Sequence, residues 1–255
     1  MTWSIVARDD ATGAYGVAVT SCFFAVGALV PHVRAGVGAV ATQALVNAAL
    51  GQAALDSLAA GRSAVDTVAA LLEGDEGRDV RQLHLVGATG SAGHTGARCP
   101  AWAGRAEAAS VSVAGNTLAG SGVVQATLAA YWASPAPFAE RLVAALSAGE
   151  IAGGDVRGRQ SAALVVRGVP GAPDVDIRVD DHAEPIVELA RLLAVHHGDF
   201  VPIARLLPGF AGTSGVFDPQ SVAAARDERQ TNRDAGRTPS LGTLRPAPVP
   251  ERPDR

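Results

Sequence analysis

The chain has 255 residues, 48% hydrophobic and 18% charged, with a formal net charge of −4. That is material for one large globular domain, or two small ones, with an ample core. Every basic residue is Arg and none forms a stripe, so neither nucleic acid nor an anionic membrane is implied as a partner.

Aromatic residues make up 4%, so the core must be packed mainly by Ala, Val and Leu. The abundance of Ala, Val, Arg and Gly without Lys fits a GC-rich bacterial genome. The start lacks a basic region ahead of an apolar stretch, because Arg8-Asp9-Asp10 interrupts the apolar run, so no signal peptide is expected. No segment is long and apolar enough to span a membrane. Cys22 and Cys99 lie far apart and form no metal-type pair. These features together predict a reduced cytoplasmic location.

In chain order, Thr2–Arg8 and Tyr15–Ser21 read as strands across the turn residues Asp9–Gly13. Thr2, Ser4 and Val6 share one face of the first strand. Gly36–Gln43 is a third strand, led in by Val33-Arg34-Ala35. Ala48–Ala60 has helical composition, and Ser63 caps a second helix ending near Glu73. Val80–Val86 and Ser91–Thr95 form a hairpin across Gly87–Gly90, and Ala108–Ala114 is a further strand. Helices follow at Ser121–Trp132 and Pro137–Ala148, then a glycine-rich loop, Gly153–Arg159. Strands Ala162–Arg167 and Val175–Val179 and a helix Pro185–His197 complete the pattern. Strands in hairpins with helices grouped between them predict an α+β fold, a four-layer αββα sandwich of two antiparallel sheets flanked by helices. Residues 1–218 are expected to form this domain. Residues 219–255, rich in Arg, Asp and Pro, read as a disordered tail.

Thr2 is the leading chemical candidate. A small residue after Met1 satisfies bacterial methionine removal, which would leave Thr2 with a free α-amine beside its own hydroxyl. A weak hydroxyl nucleophile can use such an amine as its base, and the amine titrates near ~8. Ser4 shares the face and is the competing nucleophile, or a support for Thr2. Thr42-Gln43 sits at a strand end and reads as pocket lining or helix capping. Gly115-Asn116 ends another strand; Asn116 could donate to an oxyanion or simply occupy a turn. Asp155, Arg157 and Arg159 crowd one loop, where the carboxylate could meet an amine and a guanidinium a substrate carboxylate. Asp180-Asp181-His182 offers acid–base groups or plain capping. The six His are scattered without ligand spacing, so no metal is expected. No phosphate loop and no Gly-x-Ser-x-Gly elbow is present.

Several segments also resemble a known family. They are Thr2–Asp9, Gly16–Val19, Ala25–Gly27, Gly36–Gln43, Arg78-Asp79 with Arg81–Leu83, Thr95-Gly96 and Gly115-Asn116. Gly153–Asp155 with Arg157-Gly158 and Gln160–Leu164, and then Arg178–His182, continue in order, and the resemblance runs to about Leu193. This is similar to a bacterial domain-of-unknown-function family with the N-terminal nucleophile (Ntn) hydrolase fold. The resemblance implies the αββα sandwich and, by analogy with Ntn enzymes, hydrolysis of an amide bond. One departure is Cys22-Phe23-Phe24, where a Lys or Arg that could support the α-amine is expected.

The combined expectation is an Ntn-type amidohydrolase that cleaves a small amide or peptide-like substrate without a cofactor. Thr2 attacks, Asn116 donates to the oxyanion, and Asp155 orients the α-amine or the substrate amine. Ser21, Thr42 and Gln43 line the pocket, and Arg157 or Arg159 binds a substrate carboxylate. The alternatives are a non-catalytic ligand-binding or scaffold protein with the same fold, or a hydrolase using Ser4 or the Asp180-Asp181-His182 group. The fold often self-associates, so a homodimer is one expected assembly.

Overall fold

Strand β1, Thr2–Arg8, is buried on both faces, and its alternation divides the molecule. In the computed structural model, which describes residues 2–169 and 172–242, Trp3, Ile5 and Ala7 enter one apolar cluster and Val6 a different one. Successive side chains of a strand point to opposite faces, so β1 must be covered twice. Helices cover one side and a second sheet covers the other.

The first sheet has six strands in the order β10-β9-β2-β1-β8-β7, and the second has four, β3-β4-β5-β6. Every pairing is antiparallel. Besides β1, the first sheet holds β2 (Tyr15–Ser21), β7 (Gly104–Ala108), β8 (Val111–Asn116), β9 (Ser161–Arg167) and β10 (Val175–Val179). The second holds β3 (Pro31–Arg34), β4 (Gly38–Ala44), β5 (Arg81–Gly87) and β6 (Gly90–Thr95). Helices α1 (Ala48–Ala59) and α2 (Ala64–Glu73) pack on the second sheet. Helices α3 (Ser121–Ala133), α4 (Phe138–Ile151) and α5 (Pro185–Val195) pack on the first. The core is correspondingly three apolar layers. One lies between α3–α5 and the first sheet, one between the sheets, and one between the second sheet and α1–α2. The expected α+β sandwich of two antiparallel sheets flanked by helices is therefore the observed arrangement.

Local signals account for much of this. Asn47 caps α1 by accepting from the Ala49 N–H at 3.2 Å, and Ser63 caps α2 by accepting from Asp66 at 3.1 Å. Gly149 lets α4 lie directly on β1: a Cβ there would press on Thr127 Oγ1 and sit 2.9 Å from Trp3 Nε1.

Three expectations need correction. The single strand expected at Ala108–Ala114 is two strands, β7 and β8, joined at Ala109-Ser110. The third strand is likewise a hairpin, β3–β4, which turns at Ala35–Val37 with Gly36 at φ +70°. Last, the segment expected to be disordered from residue 219 begins with helix α7, Pro219–Asp234, capped by Asp218. Arg233 and Arg229 both reach the buried Asp199 carboxylate, Asn232 donates to the Gly198 carbonyl, and Ala225 is buried. Asp199 lies in the turn of π-helix that follows α5 and precedes α6, Val201–Ala204. The remainder of that tail, residues 243–255, lies outside the described residues, as does Met1. Among the described residues no helix is long and apolar enough to cross a membrane.

Candidate functional site

The layer between the sheets changes character along its length. Near the Arg8 end of β1 it is apolar, with Val6, Val17, Val19, Ala39, Ala41 and Val86. Towards Thr2 the positions of the same parity become polar: Thr2 and Ser4 on β1, Ser21 on β2, Gln43 on β4. Gln82 and His84 on β5, and Ser112 and Asn116 on β8, complete the set. All eight are buried. Polar groups withdrawn from water must find partners, and here they find one another.

The network has a defined direction. Gln82 Nε2 donates to the Gly115 carbonyl at 2.7 Å and to Thr95 Oγ1 at 3.1 Å. A carbonyl only accepts, so this end of Gln82 is its NH2 and the opposite end its oxygen. That oxygen accepts from Gln43 Nε2 at 3.1 Å and from Asn116 Nδ2 at 2.9 Å. Gln43 Nε2 also donates to the Ala114 carbonyl at 3.1 Å, so Gln43 Oε1 is the atom 2.7 Å from Ser4 Oγ.

Ser4 has one hydroxyl hydrogen, and it goes to Gln43. The 2.8 Å contact between Ser4 Oγ and His84 Nε2 must then be donated by the histidine. His84 Nδ1, 3.0 Å from Ser112 Oγ, is the acceptor. Burial pushes His84 down to about 3, so the ring is neutral and carries its proton on Nε2. In this state His84 is not a base for Ser4.

Thr2 is arranged differently. Its hydroxyl donates to Ser21 Oγ at 3.1 Å, and the residue begins an interior strand. Beside it, Asn116 directs its amide hydrogens to Gln82 Oε1 and, at 3.4 Å, to the Thr2 carbonyl. Asn116 Oδ1 is buried without a partner, as is the adjacent Thr117 Oγ1. Thr117 is a β-branched residue at φ +52°, a strained geometry of the kind that collects at functional sites. Asn116 was expected to donate to an oxyanion; here both its amide hydrogens are engaged and the atom it has on offer is an acceptor.

Asp155 joins the site from the loop after α4. Its carboxylate accepts from the Cys22 N–H at 3.3 Å and from the Arg157 guanidinium at 3.1 Å. The Asp155 backbone bridges to Leu118, two residues beyond Asn116. Arg157 thus lies next to Cys22, where the sequence itself carries no basic residue.

Other expected residues fall elsewhere. Thr42 has the opposite parity to Gln43, so it faces α1 and donates to the Asn47 carbonyl at 3.2 Å; it does not line the Thr2 site. Arg159 is held by Glu150, Glu184 and the Ala183 carbonyl. Asp180 pairs with Arg178. Asp181 and His182 are exposed: Asp181 accepts from Gln160 and His182 Nδ1 from the Glu184 N–H. Gln82, His84 and Ser112 were not anticipated, although alternation along Arg81–Gly87 already puts Gln82 and His84 on the Val86 face. Among the described residues no group of three His, Cys, Asp or Glu is placed to hold a metal ion.

At the other end of the sandwich a cavity of about 590 Å³ is lined by Phe138, Val166, Val175, the Asp9–Arg141 ion pair and the Glu140–His197 pair.

A search of curated protein sequences returned no match. Among solved structures, the chain is similar to the crystal structure of protein SPO2555 from Silicibacter pomeroyi, itself assigned to DUF1028. The two share 34% identity and a TM-score of 0.79, over 85% of this chain and 96% of that one. Residues 2–189, from the Thr2 end of β1 into α5, match the profile of the family of unknown function DUF1028, and the chain belongs to that family.

Proposed function

We propose that this protein is an N-terminal-nucleophile amidohydrolase acting on a small amide or peptide-like substrate. The observation that carries the reading is the position of Thr2. It opens an interior strand of one of two stacked antiparallel sheets, the architecture the Ntn resemblance implies, and its hydroxyl sits in the polar end of the inter-sheet layer. The reading needs a free Thr2 α-amine, which requires cleavage of the Met1–Thr2 bond. Thr2 Oγ then attacks the substrate carbonyl while the amine takes the hydroxyl proton and passes it to the leaving nitrogen. Water attacks the resulting ester, the amine takes a proton from that water, and the proton returns to Oγ as the acid departs. Asp155 holds Cys22 and Arg157 beside Ser21, and in this reading Arg157 is the group that would meet a substrate carboxylate.

Ser4 is the weaker nucleophile candidate, because its only hydrogen is committed to Gln43 and its histidine neighbour donates to it. A ligand-binding reading is favoured by the 590 Å³ cavity around Arg141, which is remote from Thr2.

The test is mass spectrometry of the purified protein, before and after incubation with an electrophile selective for N-terminal threonine. A mass lacking Met1 and an adduct on Thr2, lost in Thr2→Ala while the fold is retained, is the expected result. An intact Met1 in protein that hydrolyses amides would overturn the mechanism. Absence of any adduct on a free Thr2 would favour the binding reading.

A further inference from the structure

We propose that Gln82 is a positioning residue: it holds the Asn116 amide so that its oxygen, not its NH2, is offered to the α-amine of Thr2. This rests on the N-terminal reading above. Three observations lead to it.

The first is the forced orientation. Gly115 O fixes Gln82 with its oxygen towards Asn116, and Asn116 must answer with Nδ2. The second is the outcome: Asn116 is fully buried, yet Oδ1 has no partner. A buried acceptor left unmade costs about 1–3 kcal/mol, a cost that a donor from the freed amine would remove. The third is the register. Arg8 N donates to Ser110 O at 2.8 Å, and Thr2 pairs with Asn116 in the same ladder. Hydrogen-bonded pairs alternate along an antiparallel ladder. Counting back from Arg8 in steps of two turns the Thr2 nitrogen towards β8, where one hydrogen faces the Asn116 backbone carbonyl and the further hydrogens of a freed amine lie beside the Asn116 side chain, which shares the Thr2 side chain's face. The Thr2 hydroxyl, by contrast, is directed at Ser21 on β2.

An acceptor beside an ammonium favours its charged form. Asn116 in this orientation therefore raises the amine's proton affinity, holds the amine in place, and tunes the pH at which it becomes a base. A flipped amide would do the reverse. Other titratable groups at this end include the Asp155–Arg157 pair and the Cys22 thiol beside it, the Arg81–Asp75 pair at the neighbouring end of β5, the Cys99 thiol on the Arg81 carbonyl, and the neutral His84 beneath Ser4.

The experiment is an NMR titration of the Thr2 α-amine, with a leader peptide removed by a specific protease so that residue 2 is terminal in every sample. Replacing Gln82 by Leu removes the acceptor that holds Nδ2. The amide then turns and the amine's pKa falls by about one unit, roughly tenfold in proton affinity, the scale of a single hydrogen bond. Asn116→Leu should lower it similarly and Asn116→Asp should raise it. An unchanged amine in folded Gln82→Leu overturns the proposal. Should that variant fail to fold, equal values in Asn116→Leu and Asn116→Asp overturn it. Labelling of Thr2 by the electrophile is followed in the same samples. A shifted amine without labelling leaves this inference standing while the hydrolase reading falls, and labelling without a shift does the opposite.

Discussion

The proton between Ser4 and His84 belongs to the histidine. Their 2.8 Å contact has the separation of a nucleophile and its base, yet the hydrogen bonds running from the Gly115 carbonyl through Gln82 and Gln43 reverse its sense. Ser4→Ala should therefore leave electrophile labelling at Thr2 in place. It should also destabilise the protein by about 1–3 kcal/mol, since Gln43 Oε1 and the His84 N–H lose a shared partner inside the core. Denaturant unfolding beside a labelling assay separates the two effects, and loss of labelling in a folded variant would restore Ser4 as nucleophile.

His84 also sets a pH dependence. Burial lowers it to about 3 from an ordinary 6.5, so the folded protein keeps the ring neutral where the unfolded chain protonates it. The stabilisation is complete above about 6.5 and declines as pH falls from there towards 3. One such proton corresponds to a slope of about 1.4 kcal/mol per pH unit. His196, lowered to about 4 by burial and by His197, adds to the slope in the same direction. Unfolding free energies of His84→Phe should fall less steeply than the parent's between pH 4 and 7, keeping the shares of His196, of His32, also lowered by burial, and of paired carboxylates such as Glu140 and Glu188.

Asp199 is the anchor of α7. Asp199→Ala would strand Arg229 and Arg233, and α7 should then become open to proteolysis and rapid amide exchange while the sheets stay protected. Equal protection of α7 in the variant and the parent would show that the ion pairs are not what holds it.

Gly149→Ala tests the seating of α4 on β1. A methyl group there meets Thr127 and Trp3, so either the helix must lift or Trp3 must move. The expected loss is about 1–3 kcal/mol by thermal or denaturant unfolding, with Trp3 fluorescence reporting the displacement.

The first two strands, the capped helices and the β5–β6 hairpin were legible because alternation, caps and glycine turns are local signals. The β7–β8 turn was not: Glu107-Ala108-Ala109-Ser110 contains no Gly, Pro, Asn or Asp to mark it. Helix α7 escaped for another reason. Its composition is that of a solvated segment, and the ion pair that helps hold it reaches Asp199, distant in sequence. Thr2, Ser4, Ser21, Gln43 and Asn116 were identified and are brought together. Thr42 was placed with Gln43 because they are neighbours, though strand parity sends it to the far side of the sheet. The direction of the amide chain was beyond the sequence altogether, because it depends on which backbone carbonyl each side chain meets.

That amide chain carries no formal charge from Ser112 to Asn116. Salt has nothing to screen there, and between mild acid and mild alkali no member changes its proton count. The two sheets are thus joined at their polar end by a seam that would stay the same while the Thr2 amine of the proposed mechanism titrates beside it. On the proposed reading, such a frame would let the amine gain and lose its proton without loosening the walls around Thr2.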